Sequence, residues 1–184
     1  MIEKLTTSKI LKLPFVPKRI LDNIKTMPPK RILFWKIDTD LNRLGFMQRK
    51  RLMEAISKGD LFYSIYSELT NVPKWALNRT SVKKTFPFVK LVIENLKWRN
   101  KRDESLAMTY TTDEINAGIK KLGHGDFGII DSLVRRYCGT YNHDEIYEWT
   151  DNRVYAVLKI DVDNIKFQRK LNKIQNEKLK YKKK

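Results

Sequence analysis

The chain has 184 residues and carries 38 Lys and Arg against 21 Asp and Glu, a formal net charge of +17 at pH 7. Its length suits one domain or two small ones, and a hydrophobic content of 41% with 11% aromatics excludes a disordered basic tail. A folded body with this charge repels itself, and a polyanion or acidic neighbours would relieve the repulsion.

Residues 1–38 read as an extended arm. Pro14, Pro17, Pro28 and Pro29 exclude a long helix there, because each removes a backbone donor and restricts the residue before it. Within it, Arg31 to Ile37 is rich in β-favouring residues and predicts at most a short strand. Phe15, Phe34 and Trp35 are candidate anchors for docking on a neighbouring surface. The alternative is that Phe34 and Trp35 pack on the chain's own core.

From Asp40 the pattern becomes helical. Leu41, Leu44, Leu52, Ala55 and Ile56 predict one helix ending near Gly59. Asp60 is placed to cap a second, with Leu61, Phe62, Ile65, Tyr66 and Leu69 inward. After Asn71-Val-Pro73 a short helix is expected around Trp75 to Thr80. Pro87 is expected in the first turn of a longer helix carrying Phe88, Val89, Val92, Ile93 and Leu96. Its cationic end, Lys97 to Arg102, suits the negative end of the helix dipole. Residues 103–110 read as a linker.

Thr111 and Glu114 form a capping box that opens a helix with Ile115, Ile119 and Leu122 as its stripe, closed by Gly123-His124-Gly125. Asp126 is placed to cap the next, with Phe127, Ile130, Leu133, Val134 and Tyr137 inward and Gly139 as its stop. Asn142 with Glu145 caps a short turn holding Ile146 and Trp149. Thr150 opens a last long segment with Val154, Val157, Leu158 and Ile165 on one face, which Asp161 or Asp163 would divide. The expected architecture is mainly α: two small helical lobes, 39–102 and 111–175, after the arm and before a basic tail, 176–184. A faint internal echo, Gly59-Asp60-Leu61-Phe62 against Gly125-Asp126-Phe127, is explained as well by two similar helical hairpins as by duplication.

No catalytic centre is legible. His124 lies in a glycine turn, and His143, beside Asp144 and Glu145, has no second convergent ligand. Asp161-Val-Asp163-Asn164 opens like a calcium loop but has Ile165 where a turn is needed and Asn172 where the acid is needed. A small nuclease using Asp161 and Asp163 with a metal stands against simple helix capping, which accounts for both aspartates. The single cysteine, Cys138, can neither close an internal disulfide nor hold zinc alone. There is no Gly-rich phosphate loop and no nucleophile elbow. The expectation is a chain without catalysis or cofactor. No window has the apolar length of a membrane span, and Lys9, Lys12, Pro14 and Pro17 interrupt any secretory signal.

The basic residues form a second set of candidates. Lys97, Arg99, Lys101, Arg102, Arg135, Arg136, Arg169 and Lys170 fall at helix ends or on polar faces, and Lys180, Lys182, Lys183 and Lys184 crowd the terminus. All are candidates for contact with nucleic acid or an acidic partner, each phosphate contact weakening with salt.

Thr111-Thr-Asp-Glu-Ile-Asn-Ala-Gly-Ile119, Gly125-Asp-Phe-Gly-Ile-Ile-Asp-Ser-Leu133, His143-Asp-Glu-Ile-Tyr-Glu-Trp149, Val154-Tyr-Ala-Val-Leu158 and Phe167-Gln-Arg169 together resemble small helical proteins of tailed bacteriophages. The resemblance spans residues 111–171 and rests on helix starts and apolar spacing. It implies a virion, neck or tail-assembly component, found in the virion or in host cytoplasm during assembly. Its partners would be other subunits of a large particle, with a ring-shaped homo-oligomer as one form, and no membrane. No catalytic signature comes with it. The alternative is a nucleic-acid-binding protein or a subunit of a ribonucleoprotein particle.

Overall fold

Mainly helical secondary structure fills a computed structural model that describes residues 28–118 and 125–182, with side chains described through residue 179. Most of the expected arm, including Phe15, lies outside the described residues, as do Ile119, Leu122, His124, Lys183 and Lys184. The chain forms two compact units, Met1–Asn100 and Lys101–Lys184.

In the first unit the expected strand is a miniature hairpin. β1 (Arg31–Ile32) pairs antiparallel with β2 (Trp35–Lys36), Arg31 opposite Lys36 and Ile32 opposite Trp35. Leu33 takes a positive φ of 51° to close the two-residue loop, the backbone hand that such tight loops require. A 3-10 turn at Leu41–Arg43 follows, and Gly45 redirects the chain into α1 (Phe46–Lys58). Leu41 and Leu44 therefore do not lie on the same helix as Leu52. Both are buried from the turn itself, which lets them reach the core without helical spacing.

Gly59, in the left-handed conformation, ends α1 as expected, and α2 (Leu61–Leu69) packs against it. The Asp60 side chain makes no cap hydrogen bond. Its carbonyl instead accepts the Ser64 hydroxyl at 2.7 Å. Next come α3 (Lys74–Arg79) and α4 (Val82–Asp103). Pro87 sits inside α4, five residues after its start, not in its first turn. An interior proline costs about 3 kcal/mol. Burial of Val82, Thr85 and Phe86 on the turn before it outweighs that cost, and the Ser81 carbonyl accepts both Lys84 and Thr85 N–H groups to start the helix.

Phe62, Ile65, Tyr66, Leu77, Phe88, Val92 and Leu96 make the centre of this unit's core. Rings of Phe62, Tyr66, Phe86 and Phe88 meet at centroid distances of 5.3 to 5.5 Å. The buried Tyr66 hydroxyl donates to the Thr85 carbonyl at 2.6 Å, and burial pushes its phenol far above the ordinary range.

The second unit begins in the last turn of α4. It adds α5 (Thr112–Asn116), α6 (Gly125–Arg136), α7 (His143–Tyr147) and α8 (Asp151–Lys182). Both capping boxes form: the Thr111 hydroxyl accepts the Glu114 N–H, and the Asn142 side chain accepts the Glu145 N–H. Its core is smaller, with Ile130, Leu133, Ile146, Trp149, Val154, Val157 and Val162 buried. Several expectations fail here, and Ile115 and Ile165, read as parts of apolar stripes, are exposed. Phe127, read as inward, is exposed and stacks on His143 at 5.4 Å. Neither Asp161 nor Asp163 divides α8, because their carboxylates are engaged sideways: Asp161 pairs with Arg136, and Asp163 accepts from Lys159 one turn back at 2.6 Å. Residues 176–182, read as a tail, continue the helix.

Candidate functional site

The β1–β2 hairpin buries Ile32 completely and so holds the adjoining loop residue outward, leaving Phe34 90% exposed. Trp35 is half-buried on the core and meets Trp75 edge-to-face at 5.5 Å, while Phe34 lies 6.3 Å from Trp35. Trp75 projects because α3 turns Ala76 and Leu77 into the core, which leaves its neighbour on the outer side. One turn on, the Arg79 guanidinium covers the Trp75 ring at 5.7 Å. The result is a continuous ridge, Phe34–Trp35–Trp75–Arg79. Exposed Arg31, Lys36 and Lys74 border it.

Rigid aromatics backed by arginine are the groups that carry energy at the centre of protein interfaces. Their faces also stack on bases when cations flank them. The sequence reading named Phe34 and Trp35 but missed Trp75 and Arg79. The i, i+4 spacing of Trp75 and Arg79 was a usable signal. Their junction with the hairpin was not, because it crosses forty residues of chain.

The predicted cations separate into two kinds. Lys97, Lys101 and Lys170 are exposed on their helices. Arg135 is also exposed, beside Asp131 at 2.8 Å. The other arginines are structural. Arg99, expected on the surface, is 0% exposed and donates to the Leu41 carbonyl and, at 2.6 Å, to Asn95. Arg102, also expected outside, is nearly buried and is held by Asp103, Asp151 and Asn152 at 2.8 to 2.9 Å, with its plane over the Tyr155 ring. Arg136 pairs with Asp161. Arg169 donates to the Thr109 carbonyl at 2.8 Å and to Glu114 at 2.7 Å.

The guanidinium fork explains this division, since it satisfies several fixed oxygens at once where an ammonium remains a hydrated point charge. Arg99 and Arg102 are therefore corrected from candidate ligand contacts to parts of the fold. Lys180 and Lys182 lie in the last turns of α8, beyond the described side chains.

Glu114 shows the electrostatics most clearly. Its carboxylate accepts the Thr111 N–H at 2.8 Å, and this bond is the main reason it titrates below the usual carboxylate range, with Arg169 adding to the effect. A depressed folded pKa gives stabilisation that is fully present at neutral pH and is lost as pH falls through that folded value. Carboxyl NMR of Arg169→Ala should therefore raise the Glu114 midpoint only part of the way toward its ordinary value, because the Thr111 bond persists. A full return would mean that Arg169 dominates.

Among the described residues, no group of three His, Cys, Asp or Glu side chains converges as a metal site. His143 Nε2 stands 3.6 Å from Asp131, with its ring stacked on Phe127. No helix among the described residues is long and apolar enough to cross a membrane. No protein-family model matches the chain, and neither curated proteins nor solved structures match it.

Proposed function

We propose that this chain is a non-catalytic structural or assembly component of a particle of the tailed-bacteriophage kind, docking on neighbouring subunits through the Phe34–Trp35–Trp75–Arg79 ridge. The observation that carries the reading is this ridge, an aromatic run held by a hairpin anchored through buried Ile32 and by a short helix. The resemblance of residues 111–171 to small helical phage proteins supplies the kind of particle. A rigid ridge of this type loses little side-chain entropy on docking, which favours it as an anchor.

The test is photo-crosslinking from a benzophenone amino acid at position 34, made in the cell that naturally produces the protein. Crosslinks to a protein subunit that sediments with large particles are expected. Trp75→Ala should weaken that association by about 2 kcal/mol, roughly thirtyfold, as for an interface hot spot. Unchanged association would remove the ridge from the interface.

A second reading, binding of single-stranded nucleic acid, is favoured by Arg79 over the Trp75 ring and by exposed Arg31, Lys36 and Lys74 next to the ridge residues in the chain. It requires an oligonucleotide to quench tryptophan fluorescence at low salt, with affinity falling as salt rises and falling further in Trp75→Ala. That result, without particle crosslinks, would replace the first reading.

A further inference from the structure

Helix α8 spans 32 residues, about 48 Å at the usual helical rise, and its first part closes the core of the second unit. Along that part the cations are engaged within the chain. The Arg153 guanidinium covers the Trp149 ring at 3.7 Å, Lys159 donates to Asp163 at 2.6 Å, and Arg169 holds the Thr109 carbonyl and Glu114. Past Asp163 the pattern changes. Residues 164–176 contain Lys166, Arg169, Lys170 and Lys173 and no Asp or Glu. Lys166, Lys170 and Lys173 are exposed, and none of them makes an ion pair among the described residues. Glu177, one turn past Lys173, bounds the run without pairing with it.

Spacings of four and three residues put these three lysines in a line along one side of the helix, over about 10 Å. Like charges at such spacings repel, so Lys166 against Lys170 and Lys170 against Lys173 both weaken the helix that carries them. A carboxylate one turn on relieves Lys159, and the line has no equivalent. Its counter-charge comes from outside the chain.

Two features select the backbone of a nucleic-acid duplex as that counter-charge. First, the groups are all lysines. Lysine is depleted in protein interfaces, whereas a phosphate accepts its ammonium as a hydrated point charge without a fixed geometry. Second, the nearest ring on the helix, Phe167, shares the apolar side with Leu171 and Ile174, so the line itself holds no aromatic face on which a single strand could stack.

We infer that Lys166, Lys170 and Lys173 bind the phosphodiester backbone of a nucleic-acid duplex without reading its bases. Duplex DNA carries one charge per about 1.7 Å of its axis, so a line of this length meets enough phosphates to neutralise all three lysines. This surface lies on the second unit and is independent of the ridge, and so of the function proposed above.

The experiment is fluorescence anisotropy of the full-length protein with a short fluorescein-labelled duplex DNA over a series of salt concentrations. Affinity should fall as salt rises. With Lys166→Gln, Lys170→Gln and Lys173→Gln combined, the slope of log affinity against log salt should become shallower by about 2.7, the share of three phosphate contacts. Lys30→Gln, Lys58→Gln and Lys84→Gln combined remove the same charge from exposed lysines of the first unit and should change the slope by less than about one contact. No binding of the duplex, an unchanged slope in the first variant, or an equal change in the second overturns the proposal.

Because the three lysines of the line are exposed and repel one another, thermal unfolding at low salt should show the first variant at least as stable as the parent protein. A loss of stability would make the line part of the fold and also overturns the proposal.

Discussion

Asp151→Ala is expected to destabilise the second unit by about 3–5 kcal/mol, the cost of removing one partner from a buried ion pair. Asp151 is 2% exposed and accepts from Arg102 at 2.8 Å. It is also the first residue of α8, where a carboxylate meets the positive end of the helix dipole. The alanine variant removes the more deeply buried of the two carboxylates that hold the Arg102 guanidinium, leaving Asp103 beside it. Asn152 and the Tyr155 ring remain beside it, but neither supplies the lost charge.

Denaturant unfolding combined with hydrogen exchange should show the loss, with faster exchange in residues 101–106 and along the first turns of α8. Asp151→Asn keeps the shape and an acceptor and should recover part of the stability. A change below about 1 kcal/mol in the alanine variant would mean that this pair behaves like a surface ion pair.

Arg99→Ala is expected to destabilise the first unit by about 2–4 kcal/mol, combining a cavity with a carbonyl deprived of its charged donor. The side chain is fully buried on α4 and ties the 3-10 turn at Leu41 to that helix. Arg99→Met fills most of the volume without the hydrogen bonds, so the difference between the two variants separates packing from polar contact. Hydrogen exchange at residues 41–44 should accelerate in both. Were Arg99 a surface contact for a polyanion, the alanine variant would keep its stability and lose affinity. The structure leads to the reverse expectation.

The sequence was most legible where the signal is local. The Gly59 helix end, the two capping boxes, the inward face of α2 and the Gly139 stop after α6 all follow from residues within one or two turns of each other, and all form. It was least legible where a distant surface overrides a local preference. Burial on both sides draws Pro87 into the interior of α4. Sideways ion pairs with Arg136 and Lys159 keep the two aspartates of α8 from ending that helix. Phe127, inward by spacing, finds a ring on α7 and stays at the surface.

The same distinction governs the candidate sites. Phe34 and Trp35 could be named from composition and position, but Trp75 and Arg79 join them only through the fold. The basic residues showed the limit most sharply: Arg99 continues the inward stripe of Val92 and Leu96 while Lys97 does not, but its residue type pointed to the surface and only the fold supplies the Leu41 carbonyl that makes burial tolerable.

What the sequence determined by itself is the helical class, the main helix starts and stops, and the large positive charge, since these depend on backbone propensity, nearby caps and a sum of ionisable groups. Only the tertiary structure decided which cations face solvent, which aromatics form a ridge and which stripe of α8 is left uncovered. Those outcomes depend on contacts between residues far apart in the chain, where the free energy of burial and of paired charges outweighs local preference.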